Sequence, residues 1–170
     1  EDAKAAVLAQ YGALVNATNG YLFKLGALDF AGGTVVHINA GMAGLIAALM
    51  LGKRVVYGRD PMAPHNLTFV ATGVGLLLFG WYGFNAGSSL EANGVTALII
   101  MNTTVAAGAA ALSWTAGEWM FRGHPSFLGG ASGMVAGLVA ITPACGFVSP
   151  GAAILIGLLA GFLCLWAVVV

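Results

Sequence analysis

The sequence predicts an all-α fold, a polytopic bundle of transmembrane helices, and three observations carry that expectation. Of the 170 residues 59% are hydrophobic and only 7% are charged, against about 25% charged in an average soluble domain. Such a chain cannot cover a water-facing surface. Five long apolar runs follow one another with short polar breaks between them. The 26 glycines are too many for an ordinary soluble helical protein but suit a membrane bundle, where small side chains let helix backbones approach closely.

Residues 1–26 form a more polar N-terminal segment with a turn signal at Asn19-Gly20. Residues 27–170 read as a partial transmembrane domain. Its apolar runs are Ala31–Leu51, Leu67–Ala86, Val95–Met120, Leu128–Ala144 and Ala152–Val170. A hydrocarbon core about 30 Å thick needs roughly 17–25 helical residues, and the third run is long enough to span while tilted. The fourth is the shortest and the richest in glycine. Pro125, Pro143 and Pro150 punctuate the last two helices, and a break at Pro143 would free carbonyls to line a cavity. Small residues recur every fourth position as Ala40/Gly44/Ala48, Gly129/Gly133/Gly137 and Ala153/Gly157/Gly161, which predicts close packing on three helix faces. The last run stops in VVV with no polar flank, so the chain is expected to be an internal piece of a longer protein.

Charge orients the bundle. Lys53, Arg54 and Arg59 lie in the 52–66 loop and Arg122 in the 121–127 loop, whereas the 87–94 loop holds only Glu91. The positive-inside rule puts the two basic loops in the cytoplasm and the start of the first helix outside; Lys4 and Lys24 pull the other way. The formal net charge of zero offers nothing to nucleic acid. Cys145 and Cys164 have no CxxC spacing, and no metal, redox or cofactor motif is indicated.

The stretch LDFAGGTVVHINAG, residues 28–41, holds the residues most able to carry chemistry. Counted along one continuous helix, His37 lies about 12 Å deeper than Asp29 and about 80° further round. An imidazole at that depth is expensive, which makes it a pore or proton-relay candidate; a histidine bonded to a neighbouring helix is the plainer alternative. A haem site would need a second histidine at membrane depth, and His65 and His124 fall in loops. Asp29 at a helix start caps free N–H groups and complements the dipole, and can also shape an outer vestibule. Glu118 is an interfacial or packing residue with Arg122 at i+4 to pair with it. In GWYGFNAGSS, residues 80–89, Trp81, Phe84 and Ser88 share one helix face. They suit either a membrane-boundary anchor or a cation site built from ring faces and a hydroxyl acceptor. No nucleophile accompanies a base, so an enzyme is not expected.

In order, LGALDFAGGTVVHINAG, GKRV, PHNL, GWYGFNAGS, NT, GEW, RGHPS and GLVAITPACG resemble the ammonium transporter family (Amt/Mep, with Rh proteins as relatives), densely from about Tyr21 onward. The resemblance implies eleven membrane helices in two inverted halves, of which these five would be the fifth to ninth. It implies a homotrimer in the cell membrane with one pore per subunit, no cofactor, ammonium or ammonia as substrate and a cytoplasmic regulatory protein as a further partner. By the same resemblance His37 is the first of two pore histidines, Phe84 one ring of a phenylalanine gate, and Ser88 the outer recruitment site. Asp29 would support that site, with Trp81, Leu77 and Thr142 as pore-lining positions. The second histidine would fall past Val170 and the first gate phenylalanine in earlier helices. Where the family usually has a tryptophan before DFAGG, this chain carries Asn16 or Ala17, a departure at the outer cation site. Two rival functions share the resemblance: an Rh-type ammonia or carbon dioxide channel, and an ammonium sensor fused to a signalling domain.

Overall fold

A computed structural model describes residues 5–6, 9–10, 12–13, 19–60 and 62–169; Asn16 and Ala17 lie outside the described residues. After a four-residue helical turn, Tyr21–Lys24, come five helices in the order expected. They are α1 (Gly33–Leu51), α2 (Leu67–Gly87), α3 (Gly94–Arg122), α4 (Phe127–Ile141) and α5 (Pro150–Val169). α1, α2, α3 and α5 are long and apolar enough to cross a membrane. At 29 residues α3 is about 43 Å long, more than a hydrocarbon core is thick.

The helix starts follow from local chemistry. The Asn66 side chain accepts from Thr68 N at 3.0 Å and Phe69 N at 3.1 Å to open α2. Asn93 and Thr96 form a reciprocal capping box at the start of α3. Ser126 accepts from Gly129 N at 2.9 Å to open α4. The Ser126 hydroxyl and N–H in turn donate to the Glu118 carboxylate at 2.8–3.1 Å. Arg122 pairs with Glu118 as the spacing predicts, at 3.7 Å. Ser126 is nonetheless the closer partner of this buried carboxylate, which sits where the first turn of α4 presents positive partial charge.

Three expectations change. α1 begins at Gly33 rather than Ala31, because Gly32 turns the chain at φ 78°, a left-handed conformation that favours glycine. Asp29 therefore lies outside the helix and reaches back, accepting from Thr34 N at 3.1 Å and Val35 N at 3.2 Å. His37 sits four residues, about 6 Å, inside the helix rather than twice that depth. α4 ends at Ile141 and not at Ala144: Thr142 still holds helical geometry at φ −52° and ψ −46°, but Pro143 has no N–H with which to continue the hydrogen-bond ladder. At 15 residues α4 is shorter than a full membrane span. The Ala40/Gly44/Ala48 stripe of α1 is exposed, with nothing within 4 Å of where a Gly44 Cβ would stand.

The other two stripes pack as predicted. α3, α4 and α5 form the core, with α2 laid against α3 and α4, and α1 touching α4. A Cβ on Gly133 would stand 2.7 Å from the Ala110 carbonyl oxygen, and one on Gly137 2.5 Å from that of Ala106. From the other side Gly157 and Gly161 press on the same two carbonyl groups. Ala106 and Ala110 are fully buried between the two glycine faces. α1 and α2 meet this core at one end only: Gly33 is the one buried residue of α1, and Asn85 and Ala86 are those of α2.

Gly157→Val in the full-length protein drives a branched side chain into the α3 backbone. It is expected to cost about 1–3 kcal/mol or more, read as a lower unfolding temperature of the detergent-solubilised protein. Asp29→Ala removes both caps of α1 and is expected to cost about 1 kcal/mol. Asp29→Asn, which keeps one carbonyl oxygen, should lose less by the same thermal measurement.

Candidate functional site

The end at which α1 and α2 join the core is also where most of the candidate residues collect. His37 of α1 stacks on Trp81 of α2, ring centroids 5.3 Å apart and planes 21° apart. Phe84 stands edge-on to both, 5.9 Å from His37 and 5.8 Å from Trp81. Residues 81 and 84 project from one face of α2, as their spacing predicts. The antiparallel run of α1 and α2 then brings the first turns of one helix against the last turns of the other. His37 Nε2 is buried and has no hydrogen-bond partner among the described residues. The plainer alternative, a histidine bonded to a neighbouring helix, is not what this atom shows within the chain.

The α4–α5 linker forms the floor of the ring cluster. Trp81 Nε1 donates to Thr142 Oγ1 at 2.8 Å, and the Thr142 hydroxyl donates to the Leu138 carbonyl at 2.6 Å. The indole is thereby fixed in plane, with its face turned to the imidazole. Phe30 N donates to the Pro143 carbonyl at 2.9 Å. Gly33 comes so close that a Cβ there would lie 2.6 Å from Thr142 Cγ2 and 2.7 Å from Pro143 Cδ. The break at Pro143 thus frees a carbonyl, as expected, but that carbonyl ties down the entrance of α1 instead of facing a cavity.

Ser88 follows the last turn of α2 and donates its hydroxyl proton to the Phe84 carbonyl at 2.7 Å. Its oxygen keeps lone pairs free, so what the hydroxyl can offer a ligand is an acceptor. Ser88, Phe84 and Trp81 follow one another from the end of α2 inward. Asp29 is engaged in capping α1, so its structural role is the one observed. Leu77 lies one helical turn further along α2 from Trp81 and is exposed; no contact draws it into the ring cluster. No group of three or more His, Cys, Asp or Glu side chains placed to hold a metal occurs among the described residues.

Sequence reasoning quoted Asn85, Asn102 and Thr103 only inside motifs and gave them no role; with Thr142, named there as pore-lining, they lie beneath the rings. Asn85, Asn102, Thr103 and Thr142 are all fully buried. Asn85 Nδ2 donates to Thr103 Oγ1 at 3.1 Å, joining α2 to α3 one residue beyond Phe84. Asn102 Nδ2 donates to two linker carbonyls, Cys145 at 2.9 Å and Val148 at 2.8 Å. A signal was present: Asn102, Thr103 and Thr104 form a polar triplet inside an otherwise apolar helix, and polar groups there need internal partners.

Residues 4–170 match the Ammonium Transporter Family. The chain is similar to an ammonium transporter of Bacillus subtilis, 50% identical over 88% of this chain and 36% of that protein. It is also similar to an ammonium transporter of Aquifex aeolicus, 56% identical over 83% of this chain and 33% of that protein. The crystal structure of Candida albicans Mep2 superposes with a TM-score of 0.83 at 41% identity, covering 89% of this chain and 34% of that one. The chain thus spans about a third of the length of the relatives it matches. With the five apolar helices, the ring cluster on α1 and α2 and this likeness in both sequence and fold, the chain belongs to the ammonium transporter family.

Proposed function

We propose that this chain forms part of a transmembrane path for ammonium or ammonia, with Ser88 and Phe84 at its outer entrance and His37 handling the proton. The observation that carries the reading is the ring cluster: an imidazole with an unpartnered, buried Nε2, stacked on Trp81 and edged by Phe84. A bare cation in a low-dielectric passage costs tens of kcal/mol by an idealised Born argument, so it must be compensated or lose its charge. The faces of Trp81 and Phe84 attract a partly desolvated cation, and Ser88 Oγ accepts from one of its N–H groups. Ammonium can then release a proton and continue as ammonia beside His37. Potassium has no proton to release, which gives the passage its selectivity.

In this reading the start of α1 and the end of α2 face outward, and the basic 52–66 and 121–127 loops face the cytoplasm, consistent with the positive-inside rule. Asp29 supports the entrance by holding the first turn of α1. Leu77 and Thr142 line the passage, Thr142 by fixing the indole. The proton follows the neutral substrate by a histidine relay, so transport is electrogenic. The full-length protein is a homotrimer, and the exposed apolar faces of α1, α2 and α5 are covered by its remaining helices, by neighbouring subunits and by lipid. A cytoplasmic regulatory protein meets the basic loops.

In the full-length protein reconstituted into liposomes, His37→Ala is expected to cut ammonium flux about tenfold, equivalent to ~1.4 kcal/mol in the barrier, or to admit potassium. Unchanged flux with unchanged selectivity on a solid-supported membrane would overturn the role given to His37. Ser88→Ala removes an acceptor for a charged donor, a hydrogen bond of about 1.5–3 kcal/mol. It should raise the apparent KM for ammonium about tenfold and leave the maximal rate nearly unchanged; the reverse pattern would exclude recruitment at Ser88.

A further inference from the structure

Residue 142 does not hold itself in place. It belongs to a short non-helical linker, 142–149, between α4 and α5, and three helices fasten to that linker at separate points. Phe30, at the entrance of α1, donates to the Pro143 carbonyl. Trp81 of α2 donates to the Thr142 hydroxyl. Asn102 of α3 donates to the carbonyls of Cys145 and Val148, at 2.9 and 2.8 Å.

The third attachment differs in kind from the other two. Phe30 and Trp81 each supply one donor, whereas the Asn102 amide carries two diverging N–H groups and spends both on carbonyls three residues apart. That pins the linker's position and its rotation together. No hydroxyl side chain could do the same, because Ser and Thr have one proton to give. Asn102 is fully buried, and its Oδ1 has no partner among the described residues. The residue is kept in the apolar core at the cost of an unpaired acceptor, so the use of the amide lies in its donors. Its neighbour Thr103 accepts from Asn85, next to Phe84, so one level of α3 anchors both the linker and the end of α2.

We propose that Asn102 is a positioning residue for the His37–Trp81 site. Its two amide donors set the α4–α5 linker, and the linker sets Thr142 against Trp81 and Pro143 against the entrance of α1. It touches no substrate. Its effect reaches the passage through the angle at which the indole meets the imidazole. This inference rests on the reading of the ring cluster as part of the permeation path.

The test uses the full-length protein with 5-fluorotryptophan incorporated, the resonance of position 81 being assigned with a Trp81→Phe control. Asn102→Leu keeps the volume and removes both donors. Asn102→Ser adds no bulk and keeps one donor. Thr142→Val removes the bond to the indole. At matched amounts of folded protein, Asn102→Leu is expected to shift or broaden the Trp81 fluorine signal as Thr142→Val does. It should lower ammonium-over-potassium selectivity by roughly tenfold, with Asn102→Ser between it and the parent, the scale of one hydrogen bond. Because Asn102 acts through Thr142, the double variant should be no worse than the more severe single one; additive losses would overturn the proposal. So would an unmoved Trp81 signal with unmoved selectivity, or failure of both Asn102 variants to fold, which would make the residue structural only. His37→Ala, run alongside, separates the two readings. If it leaves transport unchanged the path assignment fails, whereas if it alters transport while the Asn102 variants do not, only the positioning role fails.

Discussion

Backbone that leaves the helix inside an apolar bundle has to find hydrogen-bond partners, because there is no water at hand to supply them. That constraint falls on the linker between α4 and α5, and much of the structure follows from how it is met. The carbonyl of Pro143 takes the N–H of Phe30, and those of Cys145 and Val148 take the amide of Asn102. Thr142, at the point where α4 ends, takes the indole N–H of Trp81. Four helices and the entrance of a fifth are thereby referred to one stretch of eight residues. The break that shortens α4 supplies attachment points for both α1 and α2, and α2 is also tied directly to α3 through Asn85 and Thr103.

The rest of the core obeys a different rule, close approach through missing side chains. Gly133 and Gly137 on one side of α3, and Gly157 and Gly161 on the other, rest on the peptide groups of Ala106 and Ala110. Packing of this kind supplies dispersion contacts where the backbones approach closely. α1 and α2 lack it. They meet the core only near Gly33, Asn85 and Ala86 and present apolar faces elsewhere. The division is mechanical: the tightly packed helices form the frame, and the two attached at one end carry His37, Trp81 and Phe84, the residues on which the proposed function centres.

Asp29 and His37 show how local geometry redistributes roles that a sequence pattern couples. Along one continuous helix the two would stand two turns apart on related faces. The left-handed turn at Gly32 takes Asp29 off the helix and folds its carboxylate back onto Thr34 and Val35. The acid becomes a cap, and the imidazole becomes the one group of that pair turned toward other rings. Its buried Nε2 has no partner among the described residues and stands beside two aromatic rings, which is why the functional reading centres on it.

Composition, the five apolar runs, the glycine spacing and the 81/84/88 face of α2 were all legible in the sequence, because each depends on residues close together in the chain. Helix periodicity and the hydrophobic requirement of the bilayer determine them without reference to any partner. The family, too, was legible in its motifs. What tertiary structure alone decided was which stripes find a partner, so that Gly137 and Gly157 pack while Gly44 does not. It decided that Glu118 serves the first turn of α4 more closely than it serves Arg122, and that Pro143 and Thr142 hold other helices in register. Above all it decided the partners of Asn102, which the sequence shows only as part of a polar NT pair in an apolar run. Its two acceptors lie more than forty positions further along the chain, and no periodicity connects residues so far apart.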